Sequence, residues 1–130
     1  MSESKLQRYI NIIEELESDE VYDYVLELGQ ELMGTFTDRL DEHFVHGCQS
    51  PVWVTGVDEP TGWEFAIDSD SFMVRGVGHI ICECLSGMTT DEIAEVTFYD
   101  FKELSVYFST QRKQGMQSII NKIKSISKGN

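Results

Sequence analysis

Two groups of side chains in this sequence are built for covalent or coordination chemistry: the thiols of Cys48, Cys82 and Cys84, and the imidazoles of His43, His46 and His79. Cys48 stands apart by its setting. In Val45-His46-Gly47-Cys48-Gln49-Ser50-Pro51-Val52-Trp53-Val54 it occupies a small polar bend between β-branched and aromatic residues. Gly47 allows a backbone conformation that a Cβ would resist. Pro51 has no amide hydrogen and suits the first position of a following strand. The sequence therefore predicts Cys48 at the tip of a loop joining two strands, where proteins tend to carry reactive groups. A second reading stays open, because free cysteine is also among the most buried residue types and packs as a small hydrophobe.

The neighbouring residues restrict what such a thiol could do. Cys82 and Cys84 fall two apart on a predicted helix, so they point to different sides and cannot both hold one ion. His43 and His46 flank the bend on opposite strand faces. The paired short spacings of a structural zinc site are missing. His79 sits on an apolar helix and reads as a satisfied histidine, buried or half-buried. No base held by a third group accompanies Cys48, and no Gly-rich phosphate loop is present. Thiol chemistry without a dedicated base remains, and a thiolate needs donors or positive charge nearby. The Gln49 and Ser50 amides, the Ser50 hydroxyl and, further along the chain, Arg112 are the candidates.

The elements that must position these groups follow from periodicity. Leu6, Tyr9, Ile10, Ile13 and Leu16 predict a first helix; Val21, Tyr24, Val25, Leu28 and Leu32 predict a second, ending near Gly34 and packed antiparallel to the first. A polar connector from Thr35 to Glu42 leads to three strands: Phe44-Val45, Val52-Trp53-Val54, and Trp63-Phe65-Ile67 alternating with Glu64, Ala66 and Asp68. Ser69-Asp70-Ser71 opens a helix carrying Val74, Val77, Ile80, Ile81, Cys84 and Leu85, stopped by Gly87. Gly76 and Gly78 inside it ask for another backbone packed close. Thr89 and Glu92 form a capping box. Phe98, Phe101 and Leu104 mark a loop or short helix. The last helix starts near Ser109 with Met116, Ile119, Ile120, Ile123 and Ile126 as its core stripe. The fold class predicted is α+β: a small three-stranded antiparallel sheet with helices against one face, in a single domain over residues 1–130.

Composition narrows the function classes. The formal charge of −13 speaks against nucleic acid, whose phosphates need clustered Lys and Arg. Residues 1–42 carry 12 acids and 3 bases, whereas residues 111–130 carry 5 bases and no acid, so the acidic surface belongs to the first two helices. It reads as a solvated face or as a steering surface for a partner protein. Three cysteines, no apolar run of membrane-spanning length and no signal-peptide layout lead us to expect a cytoplasmic protein with reduced thiols and no membrane partner.

Four motifs in order resemble one family. His46-Gly47-Cys48-Gln49-Ser50-Pro51-Val52-Trp53-Val54 is similar to the "GCQS-x-VW" signature of SufE-type sulfur acceptors, which serve cysteine desulfurases in iron–sulfur cluster assembly. Leu28-Gly29-Gln30-Glu31-Leu32 resembles "LG-x-x-L". Ser69-Asp70-Ser71 with Val74-Arg75-Gly76 resembles "SDA-x-IV-[KR]-GL", and Ser109-Thr110-Gln111-Arg112 with Gly115-Met116 resembles "SPSR-x-NGL". Thr110, Gln111 and Gln114 depart from the last pattern. The likeness runs from about Val21 to Ile126. It implies a fold shared with IscU-type cluster scaffolds. It further implies that Cys48 receives persulfide sulfur from a cysteine desulfurase, a pyridoxal-phosphate enzyme, and passes it to an iron–sulfur scaffold. No metal or cofactor of its own and no independent turnover are implied. Asp70 and Arg112 would lie near the Cys48 loop, Arg112 stabilising the anion and Asp70 holding the loop or helix start, and Trp53 would wall a pocket. The alternative is a metal- or cluster-binding scaffold of the same fold; a cysteine hydrolase is remote.

Overall fold

The computed structural model of the chain describes residues 4–32 and 39–129. Helix α1 (Lys5–Glu14) starts at Ser4, whose hydroxyl accepts from the Gln7 amide, and buries Ile10 and Ile13. Helix α2 (Ser18–Glu31) starts with the Glu17 amide donating to the Glu20 carboxylate and buries Val21, Val25 and Gly29. The predicted end at Gly34 and residues 35–38 of the connector lie outside the described residues. α1 and α2 do not pair chiefly with one another, as the sequence suggested. Both rest on the central helix α3 (Phe72–Leu85). The reason is a glycine contact: a Cβ on Gly29 would fall on the Phe72 carbonyl, and one on Gly76 on the Val25 carbonyl. The α2 backbone therefore comes closer to α3 than any side chain would allow. Gly78 serves differently, making room for the Ile67 side chain.

The sheet is smaller than expected. Strands β1 (Val52–Glu59) and β2 (Gly62–Ser69) form an antiparallel hairpin in register from Val52 opposite Ser69 to Glu59 opposite Gly62. Among the described residues it has two strands, not three. Phe44 makes a single bridge to Trp53, and the Val45 amide donates to the Val52 carbonyl at 2.8 Å. A 3₁₀ turn over Asp41–His43 on one side and the Gly47 bend on the other leave too few residues for a ladder. Val52, Val54, Phe65 and Ile67 point inward against α3 and α6 (Thr110–Ser127), so the helices do cover one face. Short helices α4 (Thr90–Ala94) and α5 (Lys102–Ser105) connect α3 to α6. The Thr89–Glu92 capping box is present, and α6 buries Met116, Ile119, Ile120 and Ile123. Among the described residues, no helix is long and apolar enough to cross a membrane.

Strand alternation fails at one residue, with a physical cause. Alternation puts Asp68 on the polar face, yet it is 5% exposed. Its Oδ1 accepts from Arg75 Nε at 3.0 Å and from the Ser69 amide at 2.9 Å, and its Oδ2 from Arg39 Nε at 2.8 Å. Arg75, itself 4% exposed, also donates to the Gly29 and Ser69 carbonyls. A buried ion pair is tolerable only when its remaining hydrogen-bonding groups are satisfied, and here they are. The Asp68–Arg75 pair thus joins the end of β2 to the first turn of α3 and, through the Gly29 carbonyl, to α2.

Asp68 and its exposed partner Arg39 should differ sharply in stability measurements. Removing the carboxylate strands a buried guanidinium, so Asp68→Ala should lower the urea-unfolding free energy by about 3–5 kcal/mol. Arg39→Ala should cost under ~1 kcal/mol, since that side chain is 40% exposed and screened by water. Equal losses in the two variants would contradict this account.

Candidate functional site

Residues 46–51 form a short loop closed across its base by the Val45–Val52 hydrogen bond. Gly47 takes φ +101, in the left-handed region, and lies against Ser118 of α6; an added Cβ would also meet the Ser118 hydroxyl. On the approach to the loop, Lys122 Nζ donates to the Glu42 carbonyl at 2.7 Å. Cys48 follows Gly47 and is half-buried, turned toward α6, with Sγ 3.7 Å from the Gly115 carbonyl oxygen.

Beside this sulfur is a cavity of about 140 Å³. Gln49 and Ser50 line it from the loop, Ser71, Val74 and Val77 from α3 and its cap, and Ser109, Arg112, Gly115 and Met116 from α6 and its cap. Ser71 and Ser109 are the N-caps of those helices, their hydroxyls accepting from the Val74 and Arg112 amides. Two helix N-termini thus meet at the cavity, and Arg112 is among its walls, a setting that favours negative charge within it. The resting sulfur feels little of this. Burial pushes the Cys48 thiol above its ordinary pKa. Its neighbour is a carbonyl acceptor, which suits S–H and not a thiolate. Gly115 is also well inside α6, beyond the first turn where a helix end exerts its field.

Gly115 has no evident place in the resting fold. Its φ is not in the left-handed region, and a glycine inside a helix costs on the order of 1 kcal/mol against alanine. Outside its own helix and among the described residues, the one atom within 4 Å of an added Cβ is Cys48 Sγ, at 3.6 Å, an ordinary contact.

The residues singled out from sequence are only partly assembled here. Cys48, Gln49, Ser50 and Arg112 share the cavity; Gly47 shapes the loop behind it. Trp53 does not wall the pocket. It faces the other side of β1, with the Arg39 guanidinium 4.5 Å from its ring and Phe44 edge-on. Strand alternation explains this, since Val52 and Val54 take the inward positions. Asp70 neither lines the cavity nor caps α3. Its carboxylate is turned out to Arg39 Nη1 at 2.8 Å, and Ser71 supplies the cap. The Arg112 guanidinium lies over the Tyr22 ring at 5.9 Å, a contact between α2 and α6 that periodicity could not reveal. From sequence, Ser71 and Ser109 read as helix starts, Met116 as core and Gly115 only as part of a motif; the fold, closing the 67 residues between Cys48 and Gly115, makes them cavity walls. Cys82 and Cys84 are 1% and 8% exposed in the core. Burial, aided by the nearby Glu83, pushes Cys84 up to about 12. His79 is half-buried with Nε2 3.0 Å from the Glu83 carboxylate. Among the described residues, no three of His, Cys, Asp or Glu come together so as to hold a metal ion.

A family described as "SufE: Fe-S metabolism associated domain" matches residues 7–127, and the chain belongs to that family. The family is one associated with iron–sulfur metabolism. An uncharacterized SufE-like protein of Rhizobium meliloti is 35% identical over 121 residues, covering 87% of this chain and 86% of its own. Another from Rhizobium etli is 33% identical over 115 residues, covering 82% and 78%. The solution structure of a hypothetical protein from Thermus thermophilus superimposes with a TM-score of 0.79 over 99% of this chain and 97% of that one. At 17% identity this is a likeness of fold alone.

The thiols should separate by pH and access. With iodoacetamide, the native protein should be alkylated at Cys48 and not at Cys82 or Cys84, whereas urea-unfolded protein should take label at all three. Because a raised pKa leaves less thiolate at a given pH, Cys48 should react more slowly than a free cysteine peptide at neutral pH. Its rate should climb through a midpoint above the peptide's ~8.5. A midpoint below the peptide's would contradict the burial argument.

Proposed function

We propose that the chain is a sulfur acceptor and carrier: Cys48 takes persulfide sulfur from a cysteine desulfurase and hands it to an iron–sulfur cluster scaffold. The observation that carries this reading is the setting of Cys48, a thiol beside a cavity where two helix N-termini meet and Arg112 is among the walls. Membership of a family associated with iron–sulfur metabolism supports it.

The step is thiol exchange. Cys48, deprotonated, attacks the outer sulfur of a persulfide on the partner enzyme. A new S–S bond forms at Cys48, the partner's S–S bond breaks, and the partner's thiolate departs with the electron pair. Two thiols and one sulfane sulfur enter and leave, so no external oxidant or reductant is needed. Delivery is the same exchange in reverse sense, with an acceptor thiol on the scaffold attacking the outer sulfur. In this reading Arg112 stabilises the anionic sulfur, while Gly47, Gln49 and Ser50 shape the loop. Since the resting thiol is protonated and faces α6, the loop turns outward when a partner docks, and proton loss accompanies that motion. Asp70 acts at a distance, through its pairing with Arg39 at the start of α3. The desulfurase, the scaffold and a cytoplasmic site of action are parts of this proposal. The scaffold alternative is less well supported, because Cys82 and Cys84 are sealed in the core and neither lines the Cys48 cavity.

Mass spectrometry tests it directly. After incubation with a cysteine desulfurase, its pyridoxal cofactor and cysteine, the protein should gain one sulfur atom. The gain should vanish in Cys48→Ser and persist in Cys82→Ala and Cys84→Ala. Arg112→Ala should slow uptake by about tenfold to a hundredfold while leaving the fold intact. Sulfur gained equally by Cys48→Ser would sink the assignment.

A further inference from the structure

The glycine at position 115 is unexplained by the resting protein. An alanine there would suit the helix better and, among the described residues, would touch nothing more closely than Cys48 Sγ, at a comfortable 3.6 Å. Nothing described in the thiol form needs the space. We propose that Gly115 is a specificity-determining residue, kept without a side chain so that the outer sulfur of a Cys48 persulfide fits when the loop is in its resting position. The inference rests on the sulfur-acceptor reading and adds a role that reading does not require.

The geometry of the contact supports it. The Cys48 thiol directs its hydrogen at the Gly115 carbonyl, with Sγ and oxygen 3.7 Å apart. In a persulfide the outer sulfur replaces that hydrogen, with an S–S bond of about 2 Å. It cannot lie on the line to the oxygen, because it would be driven into it. It must turn aside, and one direction open to it is over Gly115, where the place a Cβ would take has no neighbour within 4 Å but this sulfur, among the described residues and outside the helix's own backbone. A methyl group on residue 115 would occupy that space. The cavity volume, about 140 Å³, is ample for one further atom of sulfur's size, given that a water needs only about 10–15 Å³ by the same measure. Volume therefore does not limit the fit; residue 115 decides whether the direction beside α6 is open to the sulfur. Val74, Val77 and Met116 supply apolar contacts around the remainder.

The test compares wild type with Gly115→Ala, each as the full chain. The thiol forms should melt at the same temperature, or the variant higher. Both should gain one sulfur from desulfurase and cysteine. Cyanide, which removes the outer sulfur as thiocyanate and returns the Cys48 thiolate, should strip the variant about tenfold faster, because an overpacked site holds its sulfur outside for more of the time. The persulfide form of the variant should also melt below its own thiol form, whereas the two wild-type forms should not differ in that way. Equal cyanide rates with unchanged melting would overturn the role of Gly115 and leave the sulfur-acceptor reading standing. A Gly115→Ala thiol form that melts well below wild type would overturn it too, by showing that the resting fold already requires glycine. Failure of both proteins to gain sulfur would overturn the acceptor reading and this inference with it.

Discussion

The buried ion pair of Asp68 and Arg75 is the joint on which the architecture turns. It sits where β2 ends and α3 begins, and the same guanidinium reaches the last turns of α2 through the Gly29 carbonyl. A charge pair of this kind adds little net stability compared with an apolar filling, but removing either partner leaves the other uncompensated. Its value here is positional. The carboxylate and guanidinium fix the angle at which α3 leaves the sheet, and α2 can follow because Gly29 and Gly76 let the two helix backbones touch. Three elements that periodicity alone would leave free to slide are held at one place.

From that joint the cavity follows. Ser71 lies three residues beyond Asp68 and supplies both the cap of α3 and one wall of the cavity. α6 lies across β1 and α3, and its own cap, Ser109, forms the facing rim. Helix ends are normally a liability of unpaired amides. Two of them brought together, with Arg112 added, make a small region suited to negative charge on a protein whose total charge is −13. The acidic helices and the cavity are therefore electrostatic opposites on one molecule. They also touch, through Tyr22 of α2 and Arg112 of α6.

Much of this was legible in the sequence, for reasons that also mark where it was not. Helix starts were readable because a capping side chain acts within three residues of its target, as at Ser71, Thr89 and Ser109. The Cys48 loop was readable because Gly47 and Pro51 have local meanings. The third strand was not, since residue type reports β tendency but not whether enough residues remain to pair, and Phe44-Val45 do not suffice. Asp68 escapes such a reading because alternation assumes polar residues seek water, whereas here two arginines and an amide came to it. The resemblance puts Trp53 in the pocket, although the alternation set by Val52 and Val54 already turns it the other way. Gly115 could be noticed as a helix-weakening residue, but its neighbour is 67 positions away and only the tertiary fold brings the two together.

The Val45–Val52 hydrogen bond has a mechanical consequence. It closes residues 46–51 into a small ring at the start of β1, tied further by Ser69 Oγ to the Pro51 carbonyl at 2.7 Å and by the Cys48 thiol to the Gly115 carbonyl. Swinging the tip of such a ring breaks the thiol contact to Gly115 and reorders its own few residues, and leaves the hairpin ladder untouched. The thiol is thus carried like a pendant on a clasp: its range of travel is set by the circumference of the ring, and the body of the protein need not yield for it to move.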